Sequence, residues 1–251
     1  MSKIVFMYHD VYASIPDESG FPGKGESHYK ISVNRFESHL KKIRNLINNG
    51  RIFEDDIVFT FDDGGGSFYS IIAPLLNKYG FLGHFYVATK YIGQSGFLSD
   101  TQIMEIAAMG HVIGTHSDSH PSNILSLKAD LRSTEWKGSV MKLTQICSNR
   151  INEASIPNGY YSDEDIPLFK SLGLDTIYTS SLGQYKAING INIIGRFAVT
   201  DTMDASVVEK ILCSRIYYKK LILKQKALSF AKWLLGANYL KIKAYIRNIQ
   251  Y

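Results

Sequence analysis

The stretch from Ile57 to Ile71, "IVFTFDDGGGSFYSI", ends an apolar run on two adjacent carboxylates and follows them with three glycines. Its first five residues, β-branched and aromatic, read as a buried strand. Successive strand side chains point to opposite faces, so Asp62 and Asp63 are expected to diverge. The glycines then allow a sharp turn into a helical stretch, Phe68–Tyr79, closed by Gly80. Either the two acids form a polar strand end that caps this helix, or they divide a chemical task.

The same unit recurs along the chain. "KIVFMYH", "LGHFYVA", "HVIGT", "EASI", "LDTIYTS" and "INIIGRFAV" read as further strands. Between them, "NRFESHLKKIRNLI" has helical spacing, with Asn34 as N-cap and Gly50 past its end. "SDTQIMEIAAM" carries Ser99 and Gln102 in capping-box spacing, and Ser126–Cys147 and Asp163–Leu172 complete the helices. Strands alternating with helices imply βαβ units and a parallel sheet, and about seven strands favour a closed or nearly closed barrel. Chemistry in such a barrel sits at the C-terminal strand ends, where Asp62 and Asp63 fall. The polar loop "SIPDESGFPGKGES" after the first strand is too long for a simple connection and suits a cover over the site.

At 251 residues, the chain is most simply one domain. Cys147 and Cys213 are its only cysteines, so neither a disulfide framework nor a thiolate zinc site is indicated. "MSKIVFMYHDV" reads as a first strand and not a signal peptide, and no window approaches the length of a membrane span; the expected address is the cytoplasm. The net charge of +5 hides an asymmetry: residues 205–251 hold ten Lys or Arg against Glu209 alone, leaving −4 on residues 1–204. The expected organisation is a barrel over 1–204 and a basic helical tail over 205–251.

A second informative stretch, "IGTHSDSHPSN", places His116 and His120 four residues apart. On a strand that spacing would part them by about 13 Å, whereas on a turn both imidazoles share one side. Two imidazoles and a carboxylate make a three-ligand divalent-metal site with open positions. The alternative is two surface histidines beside a helix cap. A metal site explains both motifs at once.

"TFDDGGGS" (Thr60–Ser67), "HSDSHP" (His116–Pro121) and "SIPNGYY" (Ser155–Tyr161) resemble the first three motifs of the polysaccharide deacetylase family, the NodB-homology domain or carbohydrate esterase family four. The resemblance covers roughly residues 3–200, "MYHDV" and "AAMGHVIGTHS" included. It implies a deformed (β/α)7-type barrel, here with a C-terminal basic helical extension, and metal-dependent removal of N-acetyl groups from amino sugars. Matched by position, Asp63, His116 and His120 would hold a divalent metal, zinc by expectation. Asp62 would be the general base, and the backbone amide of Asn158 would bind the oxyanion.

Two positions depart from the family's pattern. Ser155 stands where an arginine often orients the base, and Arg196 on the last strand is the substitute. "NIIGRFAV" lacks the histidine that often serves as general acid, which leaves His9, at the end of the first strand. A satisfied core histidine is the competing reading for His9, as for His84 and His111. Tyr12, Tyr160 and Tyr161 beside the motif loops either stack on sugar or pack the loops. The substrate implied is an N-acetylated sugar of a polysaccharide or lipid-linked precursor, in cell-surface glycan biosynthesis. A catalytically impaired glycan-binding homologue and an N-formyl-sugar deformylase are the alternatives.

The tail "KLILKQKALSFAKWLLGANYLKIKAYIRN" interleaves lysines with apolar residues at helical spacing. It reads either as an interfacial helix on an anionic membrane, on the inner face, or as a helix packed on the barrel with a wet lysine face. No nucleic-acid module accompanies the charge, so no nucleic-acid partner is expected.

Overall fold

The computed structural model describes residues 3–235, beginning with β1 (Ile4–Tyr8), β2 (Val11–Tyr12), α1 (Lys24–Ser27), β3 (Ile31–Ser32) and α2 (Val33–Asn48). Three βα units follow: β4 (Ile57–Phe61) with α3 (Ala73–Lys78), β5 (Gly83–Val87) with α4 (Asp100–Ala108), and β6 (Val112–Thr115) with α5 (Ala129–Cys147). Next come β7 (Glu153–Ser155), α6 (Ile166–Ser171) and β8 (Thr176–Thr179). A hairpin of β9 (Tyr185–Ile188) and β10 (Ile191–Gly195) leads to β11 (Phe197–Ala198), α7 (Ala205–Cys213) and α8 (Arg215–Leu235).

The main sheet has the order β11-β1-β4-β5-β6-β7-β8-β10-β9, every pair parallel except β9 on β10. Its curl is closed by the chain itself. The run Ile191–Ala198, expected as one strand, is broken at Arg196. Its first half pairs with β8 (Ile193 opposite Ile177), and its second half with β1 (Phe197 opposite Phe6). Counting that broken run as one stave, seven parallel staves surround the lumen, as expected for a (β/α)7-type barrel. The hairpin partner β9 is the strand of this sheet that the sequence reading lacks, because its residues are largely exposed and carry no apolar alternation.

Strand parity assigns the two faces. Phe59 and Phe61 of β4 point to the helices and are buried with Phe85 of β5, the Phe61 and Phe85 rings stacking at 4.9 Å between centroids. Phe36, Leu40 and Ile43 of α2 close over the same layer. Each fully buried side chain of this kind is worth about 1.5–3 kcal/mol, so the helical side carries the stability. The lumen face of the same staves is thereby free for polar groups. Thr60 and Asp62 point there, together with Tyr86, Ser155, Tyr178 and Arg196.

Several helix starts differ locally from expectation. The N-cap of α2 is Ser32, whose Oγ accepts from Arg35 N at 3.4 Å, and not Asn34, which already lies inside the helix. A separate turn at Ile124–Ser126, capped by Asn123, delays α5 to Ala129. The helix after β4 opens with a wide π turn, Phe68–Ile72, before α3. The capping box forms as read: Ser99 Oγ accepts from Gln102 N at 3.3 Å, and Gln102 Oε1 accepts from Ser99 N at 2.9 Å. Ser99→Ala should cost about 1 kcal/mol in urea unfolding with the slope unchanged. A loss below a few tenths would mean that the cap is idle.

Residues 205–213 form α7, which buries Val208, Ile211 and Leu212, while its Glu209 pairs with Lys42 and Arg51. α8 follows with Tyr217, Tyr218 and Leu221 against the core. The rest of the expected tail, residues 236–251, lies outside the described residues.

Candidate metal centre and active site

Asp62 and Asp63 follow the end of β4 and take different partners, although both line one cavity. Asp62 continues the lumen face of Thr60. Asp63 has φ 89°, a left-handed conformation that costs a residue with a Cβ about 1–3 kcal/mol. The following glycines make room for neighbouring segments. A Cβ on Gly65 would fall 1.9 Å from the Asp10 carboxylate. The strain is concentrated here: Asp63, Ser117, His120 and Asn158 are four of the six non-glycine residues with positive φ among those described.

Asp63 meets two imidazoles. Its Oδ1 lies 3.4 Å from His116 Nε2 and 3.3 Å from His120 Nε2, and one ligand atom from each of the three residues lies within 4.8 Å of the others. His116 stands just past β6, with Nδ1 on the Ser155 carbonyl at 2.8 Å. That bond fixes Nδ1 as the protonated nitrogen and leaves the Nε2 lone pair directed at Asp63. The chain then hooks back. Ser117 N donates to Thr115 Oγ1 at 3.2 Å, and His120 N donates to Ser117 Oγ at 3.3 Å. Glu135 of α5 pins the hook by accepting from Asp118 N at 3.1 Å and Ser119 N at 2.8 Å. The two histidines therefore share one side, as the turn reading predicts. Burial alone would push the Asp63 carboxyl up; the facing His116 and His120 outweigh it and hold it well below the usual carboxylate range. The donor set of one carboxylate and two imidazoles, with the His116 tautomer fixed by the Ser155 carbonyl, fits a divalent metal such as zinc.

Asp62 is held by a different set. Arg196 Nη1 donates to Asp62 Oδ1 at 2.7 Å and Nη2 to Oδ2 at 2.6 Å, a bidentate ion pair at which both side chains are buried. Ser155 Oγ donates to Asp62 Oδ2 at 3.0 Å and accepts from Arg196 Nη2 at 2.8 Å. Arg196 is anchored further on Thr60 Oγ1 at 3.0 Å and on the Thr179 carbonyl at 3.3 Å. The guanidinium thus comes from the break between β10 and β11 and fills the place beside Asp62 that Ser155 leaves open. Burial would push the Asp62 carboxyl up, and the Arg196 charge more than offsets it, so that it stays ionised. A carboxylate offers about four acceptor sites. Three are taken, and the free one is on Oδ1.

His9, Asp62, Asp63, His116, His120, Asn158 and Arg196 all line one cavity of about 460 Å³. His9 is half-buried at the end of β1, its ring 5.0 Å from that of Tyr29, and its buried Nδ1 has no partner among the described residues. Asn158 is exposed and left-handed, φ 56°, after Pro157. His84 and His111 lie elsewhere, on Glu153 and on the Gly83 N–H, as core histidines.

The long loop after β2 does cover the site. Phe21, Pro22 and Glu26 form one wall, and the Phe21 ring packs 5.0 Å from that of His120. Lys30, buried, donates to the carbonyls of Pro16 (2.9 Å), Ser19 (2.6 Å) and Phe21 (2.7 Å). Asp10 accepts from Ser19 Oγ at 2.6 Å and Ser67 Oγ at 2.7 Å, tying the loop to the turn after β4; burial pushes its carboxyl up. The cavity aromatics are Phe21, Tyr29 and Tyr91, whereas Tyr12, Tyr160 and Tyr161 are not among the lining residues. Sequence proximity to the motifs did not single out Phe21, Tyr29 or Tyr91. The available signal was Asp10 in "MYHDV", an acid at a strand end before a long loop.

A family model described as "Polysaccharide deacetylase" matches residues 51–177, half of the chain. The protein YxkH of Bacillus subtilis (strain 168), a polysaccharide deacetylase by name, is 25% identical over 216 residues, covering 80% of this chain and 73% of that protein. Among solved structures, the Streptococcus pyogenes deacetylase PplD in complex with acetate superposes with a TM-score of 0.69 at 21% identity, over 84% of this chain and 98% of that one. IcaB from Ammonifex degensii superposes with a TM-score of 0.57 at 19% identity, over 79% of this chain and 94% of that one. At these identities the structural likenesses speak for the fold.

Proposed function

The chain belongs to the polysaccharide deacetylase family, and from that premise we propose that it is a metal-dependent hydrolase removing N-acetyl groups from amino sugars of a polysaccharide or lipid-linked glycan precursor. One observation carries the reading: two adjacent acids are given separate partners, Asp63 the imidazoles of His116 and His120, Asp62 the guanidinium of Arg196. A helix cap would need neither set.

In this reading Asp63, His116 and His120 hold the divalent ion. When bound, it supplies Lewis-acid polarisation of the acetamide carbonyl and lowers the pKa of the attacking water. Asp62 takes the proton of that water at Oδ1, its unused acceptor site. Arg196 and Ser155 keep the carboxylate ionised and aimed, so the base is positioned before substrate arrives. The backbone N–H of Asn158, past the left-handed turn, donates to the oxyanion as the carbonyl becomes tetrahedral. His9 gives a proton to the leaving amine as the C–N bond breaks, yielding acetate and the free amino sugar. Its place in the lining of the same cavity as Asp62 and Asp63 supports that role. Phe21, Tyr29 and Tyr91 offer apolar ring faces to the sugar.

Acetate release from an N-acetylated glycan, with and without chelator, tests the proposal. We expect turnover that chelation abolishes and divalent metal restores. We also expect parent protein purified with metal, and Asp63→Ala and His116→Ala purified without it. Equal metal in the variants would remove Asp63 and His116 from the ligand set. Metal binding without acetate release would favour the glycan-binding reading, and formate released from an N-formyl sugar would favour the deformylase.

A further inference from the structure

The outer face of α8 belongs to no part of the site. Tyr218, Ile222 and Gln225 lie on its inner face. Gln225 Nε2 donates to the Ser180 carbonyl at 2.8 Å, and its Oε1 accepts from Leu182 N at 2.7 Å. Ile222 packs on Gly183, where a Cβ would fall 2.6 Å from its Cδ1. The opposite face holds Ile216 and Leu223, 72% and 66% exposed and one heptad apart, with Lys219 and Lys220 between them. Arg215, Lys224 and Lys226 flank that face, exposed on both sides. From Arg215 to Tyr251 the chain has nine Lys or Arg and no Asp or Glu.

We propose that α8 docks this face on an anionic lipid surface, burying Ile216 and Leu223 among the acyl chains while the flanking cations meet the phosphates. Two observations favour lipid over other anionic partners. The cations are interleaved with exposed apolar side chains, which a nucleic-acid backbone would leave in water and a bilayer interface would bury. The helix is also fastened to the barrel on its other side, so the face is presented rigidly. No helix among the described residues is long and apolar enough to cross a membrane, so α8 would lie on the surface. The fastening point has a consequence for substrate delivery. Ser180, whose carbonyl Gln225 holds, lines the catalytic cavity. Docking through α8 would therefore bring the rim of that cavity close to the headgroups, which suits a glycan still carried on a lipid.

Co-sedimentation with phosphatidylglycerol/phosphatidylcholine vesicles reads the docking without turnover, so its outcome is separate from that of the catalytic proposal. The full chain should bind these vesicles at low ionic strength, bind pure phosphatidylcholine far more weakly, and be released as salt rises. Lys219→Glu/Lys220→Glu/Lys224→Glu should weaken binding on the order of a hundredfold. Ile216→Ser/Leu223→Ser keeps every charge and should weaken it roughly tenfold or more. All these side chains are exposed, and unchanged thermal unfolding would verify that the variants are folded. Failure of the parent to bind, binding by the charge-reversed variant equal to the parent's, or full binding by the serine variant would each overturn the proposal.

Discussion

Asp62→Asn should lower acetate release by roughly 10²–10⁴-fold while metal content stays at the parent level. The amide is nearly isosteric, and Asp63, His116 and His120 are untouched, so a loss in folded, metal-loaded protein would be traced to the Asp62 carboxylate. Asn can still accept from Arg196 at its oxygen, and its NH₂ can turn to Ser155 Oγ. What it cannot do is take a proton from water at Oδ1. The measurement is initial rate per metal-loaded protein, with circular dichroism to establish the fold. A variant within a few-fold of the parent would mean that the base lies elsewhere, His9 being the first candidate because it shares the cavity.

Arg196→Leu should destabilise the protein by about 3–5 kcal/mol, because it strands the buried Asp62 charge without its partner. In a chain of this size that corresponds to a fall of roughly 6–20 °C in melting temperature. Arg196 also bonds Thr60 and the Thr179 carbonyl, so part of the cost is packing. A double variant separates the two. Arg196→Leu/Asp62→Asn leaves no stranded charge and should recover much of the loss, although it stays inactive. If single and double variants melt alike, the ion pair contributes specificity without stability, and Arg196 acts mainly by filling space.

The motifs were legible because each is local. Strand, two acids and glycines fall within fifteen consecutive residues, and the two histidines within five. Seven staves could be counted for the same reason, each being a short β-branched or aromatic run. The joining of distant segments was legible only in part. Arg196 lies 134 residues from Asp62, and nothing in "NIIGRFAV" announces that its strand breaks there. The covering loop was readable from its length, but its seating was not. Lys30 belongs to no motif, yet the fold turns it inward onto three carbonyls. Charge bookkeeping groups residues 205–213 with the basic tail, whereas Val208, Ile211 and Leu212 make α7 part of the packed layer around the barrel. Asn34 and Ser32 are both good capping residues, and only the end of β3 selects between them.

The break in the last stave ties chemistry to the integrity of the ring. β11 holds β1 through two residues, Phe197 and Ala198, so this seam is a short join in the barrel's closure, longer only than that of β6 on β7. The guanidinium that aims Asp62 hangs from the residue just before it. A fluctuation that unzips the seam would carry Arg196 away from Asp62 while β4 to β8 and their helices remain paired. Such a species would look native by its helix and strand content and still lack the Asp62–Arg196 pair. Heat or denaturant would then silence the enzyme before it melts the fold, and the gap between the two would measure how tightly the ring is clasped.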